Sequence, residues 1–140
     1  MQPTKLHRTY LFLAGLAAAW IGVAIVTDPH AFHATNGIEL SSAANAMSEV
    51  RAPGAALLAF GLLIGSGAFF RSVARLSTVT SAVLYLGYGL GRVASYALDG
   101  NPGEGLLGAM AIEFVLGALA LPFLRPKRYV DTSLQPVLAA

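Results

Sequence analysis

Tyr85, Tyr88, Arg92, Ser95 and Asp99 follow one another at steps of three, four, three and four, the spacing that places side chains on one face of an α-helix. The residues around them, Leu76 to Leu98, are largely apolar. A polar stripe on such a helix must face protein or a wet cavity, because exposing an arginine to lipid costs from about 3 kcal/mol upward. Its natural counter-charge is Glu113, the one ionisable residue between Gly105 and Leu124. Counted along helices rising about 1.5 Å per residue, Arg92 lies about 10 Å below Asp99 and Glu113 about 12 Å below Gly105. Arg92 and Glu113 are therefore expected to meet, with Tyr88 and Ser95 as hydrogen-bond partners and with Glu49 and Arg51 closing the cluster from above. Such a constellation can fix helix register as a buried charge network, which is the leading expectation. It can also hold an anionic or headgroup-like ligand on Arg92 and Arg51 while Glu113 orients it. Proton or ion movement through Glu113 and Asp99 is a third use, although four short spans without a broken-helix repeat make a poor transporter.

Other groupings offer less chemistry. Asp28, His30 and His33 form a D-x-H-x-x-H set that could in principle ligate zinc, but no fourth ligand is obvious nearby, and a turn led by Asp28 and Pro29 with solvated or interfacial histidines is the favoured reading. Gly87, Gly89 and Gly91 lie inside an apolar span and lack the strand-to-helix setting of a phosphate loop. No serine or histidine arrangement suggests a nucleophile, no cofactor is implied, and the absence of cysteine excludes disulfides and thiolate metal sites. Tyr10, Trp20 and Tyr129 read as packing or interfacial anchors, and His7 belongs to a basic cluster.

The elements that must carry these residues are four apolar runs, Tyr10 to Thr27, Pro53 to Phe70, Leu76 to Leu98 and Gly105 to Leu124. Each is close to the roughly 20 residues a membrane helix needs. Of the 140 residues 56% are hydrophobic and only 11% charged, and Pro53 to Phe70 holds no ionisable group, which excludes an amphipathic soluble bundle. The first run is too long for a secretory signal core and no small-x-small site follows Thr27, so it is expected to be retained. Lys5 and Arg8, Arg71 and Arg75, and Arg125, Lys127 and Arg128 fall on one face if four spans alternate, which marks that face and both termini as cytoplasmic. Asp28, Glu39, Glu49, Asp99 and Glu104 fall on the other, so the formal +2 charge is a topological asymmetry and not a nucleic-acid surface.

Short connections at Arg71 to Arg75 and Asp99 to Glu104 predict that spans two, three and four pack as consecutive hairpins, with span one tied in through the long loop Asp28 to Ala52. In that loop Ser41 or Ser42 is expected to cap a helix that runs through Pro53 and bends there, in preference to a helix starting at Pro53. Small-xxx-small pairs at Gly61 and Gly65, Gly87 and Gly91, and Ala18 and Gly22, with Ala109 and Gly117 flanking Glu113, predict close helix approach. Residues 1–128 form the expected membrane domain and 129–140 a loose cytoplasmic tail.

The stretches Asn45 to Gly61 (NAMSEVRAPGAALLAFG) and Gly87 to Gly100 (GYGLGRVASYALDG) resemble a bacterial membrane family known as domain of unknown function 4345. The likeness covers roughly residues 8–125 and rests on Asn45, Glu49, Arg51, Gly91, Arg92, Ser95, Asp99, Gly100 and Glu113. It departs at Ala52 and Pro53, where the family more usually has an aromatic and a glycine before Gly54. The resemblance implies a four-helix integral membrane protein and brings no activity with it.

Together these readings predict an all-α, up-down-up-down four-helix bundle in the bacterial inner membrane. A non-catalytic accessory subunit or scaffold contacting other membrane subunits is the favoured function. A protein binding a small molecule or lipid headgroup through Arg92, Arg51 and Glu113 is the alternative.

Overall fold

A computed structural model of the chain describes residues 3–125 and contains five helices: α1 (Lys5–Thr27), α2 (Pro29–Ala34), α3 (Ala44–Ser66), α4 (Ala74–Asp99) and α5 (Glu104–Leu124). The expected tail and the basic pair Lys127 and Arg128 lie outside the described residues. Thr4 starts α1 by accepting a hydrogen bond from the His7 amide at 3.2 Å. Asp28 ends it and caps α2, accepting from the Ala31 amide at 3.0 Å with Pro29 at the first helical position. The predicted turn at Asp28 and Pro29 is thus a short helix. Helix α3 runs unbroken through Pro53, as the longer of the two readings of that segment requires. Neither serine caps it: Ala43 is the N-cap, and Ser41 instead accepts from the Ala43 amide at 3.2 Å in a local turn.

The four-helix membrane bundle is corrected by these elements. Three helices, α1, α3 and α5, at 23, 23 and 21 residues, are long and apolar enough to cross a bilayer. Helix α4 has the length, 26 residues, but it is not among them. Its sequence carries Ser77, Thr78, Thr80, Ser81, Tyr85, Tyr88, Arg92, Ser95 and Asp99, and so many hydrogen-bonding side chains require protein partners that lipid cannot supply.

Of the expected consecutive hairpins α4–α5 packs closely and α3–α4 more loosely, while the most extensive pairing lies outside that order. Helix α1 is the closest partner of α3, and α4 pairs with α5. The reason is a run of glycines that lets two backbones touch. A Cβ on Gly15 would collide with the backbone of Gly65 and lie 2.7 Å from the Gly61 carbonyl oxygen; one on Gly22 would meet Leu58 and lie 2.8 Å from the Gly54 carbonyl oxygen. Gly15 and Gly22 stand seven residues apart, as do Gly54 and Gly61, so the antiparallel seam repeats every two turns. Helices α4 and α5 meet through side chains on glycine, Leu86 against Gly117 and Phe114 against Gly89.

Polar bonds join the two pairs at one end, where α1 and α4 begin. His7 Nε2 lies 2.8 Å from Thr78 Oγ1, and Thr78 donates its own proton to the Ala74 carbonyl. Thr78 must then accept, which places the ring proton on Nε2. Tyr10 donates to the Leu116 carbonyl at 2.8 Å, so its oxygen accepts from Ser81. Tyr85 donates to the Ala14 carbonyl, Ser77 to Leu63 and Arg8 Nε to Ala68. The His7 ring stacks on Phe123 with centroids 4.3 Å apart. His7, Ser77, Thr78 and Ser81 are buried and Leu11 and Ile64 fill the space between them. His7, expected in the basic cluster at the surface, is a core residue, and Tyr10 is buried with it as a packing residue.

Candidate functional site

Toward the other end the two helix pairs carry the expected charge pair. Arg92, late in α4, donates through Nε to both oxygens of Glu113 in α5, each at 2.9 Å. The side chains are 30% and 13% exposed, a partly buried pair whose mutual attraction is stronger than it would be in water. Using one N–H for both carboxylate oxygens is an unusual way to hold an arginine, since the fork normally offers two parallel donors. The two terminal nitrogens, with four N–H groups, make no hydrogen bond to other described residues.

The remaining residues of the predicted cluster separate. Ser95 donates to Asp99 at 3.0 Å on the exposed end of α4, about one and two turns beyond Arg92 respectively. Arg51 turns away and donates through Nε to the Val26 carbonyl at 3.1 Å, closing the end of α1. Glu49 and Tyr88 stay with the ion pair, because both line the cavity it borders.

That cavity, about 540 Å³, lies between the α1–α3 and α4–α5 pairs with α2 and the turn after it beside its mouth. Its size is that of a small-ligand pocket. Ile21, Ile25, Leu57, Leu84 and Ile112 make most of its wall apolar, and Arg92, Glu113, Tyr88, Glu49 and His33 supply polar groups. Asn36, from the turn after α2, touches the first turn of α5, where a Cβ on Gly105 would lie 2.5 Å from its Oδ1. On the outer side of α4 a shallower groove of about 480 Å³ runs over Gly87 and Gly91 to Ser95 and Pro102. Arg92, Tyr88 and Leu106 border both spaces.

Asp28, His30 and His33 are dispersed over separate tasks. Asp28 caps α2, His33 Nδ1 bonds the Pro29 carbonyl at 2.8 Å, and His30 Nε2 lies 3.5 Å from Ser42 Oγ. Among the described residues no three histidine or acidic side chains converge on a metal position. His33 belongs to the cavity instead. Sequence reasoning missed Thr78 and Ser81, although the signal was present: they continue the stripe of Tyr85, Tyr88, Arg92, Ser95 and Asp99 backward by the same steps of four and three. The stripe thus has two halves, one bonded to α1 and the other beside the cavity.

Three bilayer-length helices, a polar fourth beside them and a single Arg–Glu pair between α4 and α5 define a small helical membrane protein that crosses the bilayer more than once. The chain belongs to the family described as a domain of unknown function, DUF4345, which matches residues 6–124. That family is one of bacterial multi-pass membrane proteins. No curated protein and no solved structure matches the chain.

Proposed function

We propose that this protein is a membrane-embedded binding protein for a small amphiphile, seated in the cavity between the α1–α3 and α4–α5 pairs. The observation that carries this reading is that the cavity reaches Arg92 and Glu113. A scaffold needs its charged cluster dry and fully paired. Here the guanidinium spends one N–H on Glu113 and borders open volume on two sides. An apolar wall with a few polar groups at one end suits a molecule with a hydrocarbon body and a polar head. The surrounding bilayer would supply it.

Native mass spectrometry of the protein purified in mild detergent tests the reading. The wild-type chain is expected to carry an additional mass of a small amphiphile, and Ala109→Trp, which fills the cavity from α5, is expected to lose it without loss of helicity. A wild-type protein that carries nothing, or an Ala109→Trp variant that retains the same mass, overturns it.

A further inference from the structure

Two groups of opposite charge line this cavity with hydrogen-bonding capacity to spare. On the α4 wall, Arg92 keeps four terminal N–H groups unused after Nε has bound Glu113, and the Tyr88 hydroxyl makes no hydrogen bond to other described residues. On the α2–α3 wall, the Glu49 carboxylate makes no ion pair or hydrogen bond with them either. His33 lines the same cavity. Its Nδ1 bonds the Pro29 carbonyl, which can only accept, so Nδ1 carries a proton and Nε2 is the ring nitrogen left to serve as an acceptor. One wall therefore offers donors and the other acceptors.

The charge balance limits what can complete both. One guanidinium and two carboxylates line the cavity, so it is net negative before anything binds. A plain anion on Arg92 would add a second negative charge in a space walled by isoleucine and leucine, where an uncompensated charge is costly. A plain amine on Glu49 would leave the arginine donors unused. A head bearing an oxyanion and an ammonium adds no net charge and satisfies both walls.

Resting on the reading of the cavity as an amphiphile site, we propose that its ligand is zwitterionic, an amphiphile whose phosphate or carboxylate is taken by Arg92 and Tyr88 and whose primary ammonium is taken by Glu49 and His33. The ammonium donates to the carboxylate and to the imidazole lone pair. The guanidinium fork donates two parallel N–H groups to the oxyanion, the geometry for which arginine is suited. The hydrocarbon chain lies along the apolar wall.

The test is native mass spectrometry of the full chain, delipidated and titrated with lysophosphatidylethanolamine or lysophosphatidylglycerol of the same acyl chain. A charge-assisted hydrogen bond corresponds to at least about a tenfold difference in affinity. The ethanolamine lipid is expected to bind at least about tenfold more tightly than the glycerol lipid. Glu49→Gln, an exposed position, is expected to remove that preference by weakening the ethanolamine lipid alone. Equal binding of both lipids, or a preference for the glycerol lipid, with both lost in Ala109→Trp, refutes the zwitterion and leaves the cavity as the site. A preference unchanged by Glu49→Gln refutes the assignment of the ammonium. Binding of both lipids unaffected by Ala109→Trp refutes the cavity itself.

Discussion

Two pairs of glycines with the same spacing should respond in opposite directions to the same substitution. Gly61 and Gly65 in α3 and Gly87 and Gly91 in α4 are each separated by four residues. At Gly87 nothing lies within 4 Å of an added Cβ, so Gly87→Ala gains only helix propensity, about 1 kcal/mol in favour of alanine. At Gly61 the same methyl would lie 2.8 Å from the Gly15 carbonyl oxygen and 2.8 Å from Ala19 Cα, and closer still to the Ala19 nitrogen. These are backbone atoms of another helix, and they cannot rotate away. The α1–α3 seam must open by about 1 Å, which forfeits a quarter to a half of each contact's dispersion energy along its length. Overpacking of this kind costs about 1–3 kcal/mol. After the propensity gain is subtracted, Gly61→Ala should lose up to about 2 kcal/mol. Followed by circular dichroism in one detergent, its Tm should fall by several degrees, roughly 2–8 °C per kcal/mol, while that of Gly87→Ala holds or rises. A Gly61→Ala protein as stable as Gly87→Ala would show that the α1–α3 backbones are not in contact.

The hydrogen bonds near the start of α1 and the charge pair give two further tests by the same melting assay. Tyr10→Phe removes the hydroxyl that links Ser81 to the Leu116 carbonyl and should cost about 1–3 kcal/mol, whereas Tyr96→Phe, at an exposed tyrosine, should change stability by less than about 0.5 kcal/mol; equal effects would place Tyr10 outside the core. Arg92→Met or Glu113→Leu alone strands its partner, and the partial exposure of the arginine keeps that loss below the about 3–5 kcal/mol of a fully buried pair. The double variant should be at least as stable as the weaker single variant, and additive losses would mean that the two side chains do not interact.

The charge pair could be read from the chain because both of its determinants are local. Arg92 and Glu113 sit at similar distances from a short connection, so two antiparallel helices of known rise bring them level. Glu49 and Arg51, both expected to close the cluster from above, part company: Glu49 lines the shared cavity. Arg51 does not, because two residues along a helix turn the side chain through about 200°, and a free carbonyl at the end of α1 lies within its reach. The dispersal of Asp28, His30 and His33 has a similar origin. An aspartate before a proline is a helix cap first, and the short α2 it starts draws the histidine ring onto a backbone carbonyl. Helix α4 has the length of a span and a largely apolar run, yet its stripe of hydrogen-bonding residues sets it apart from the other three.

By itself the sequence determined the four long helices, the polar face of α4 and the residues that could bear charge inside the bundle, because periodicity and hydropathy are properties of neighbouring residues. It could not determine which glycines touch. Gly61 and Gly87 each begin a pair of glycines four residues apart inside a long helix, and only the arrangement of the helices puts the backbone of α1 against one and open space beside the other. Nor could it show that the stripe divides, with Thr78, Ser81 and Tyr85 bonded to α1, to α4's own backbone or to Tyr10, and Tyr88 and Arg92 left beside a cavity. A helical period names a face. What that face meets depends on how closely two backbones approach, and that distance is set by residues far apart in the chain.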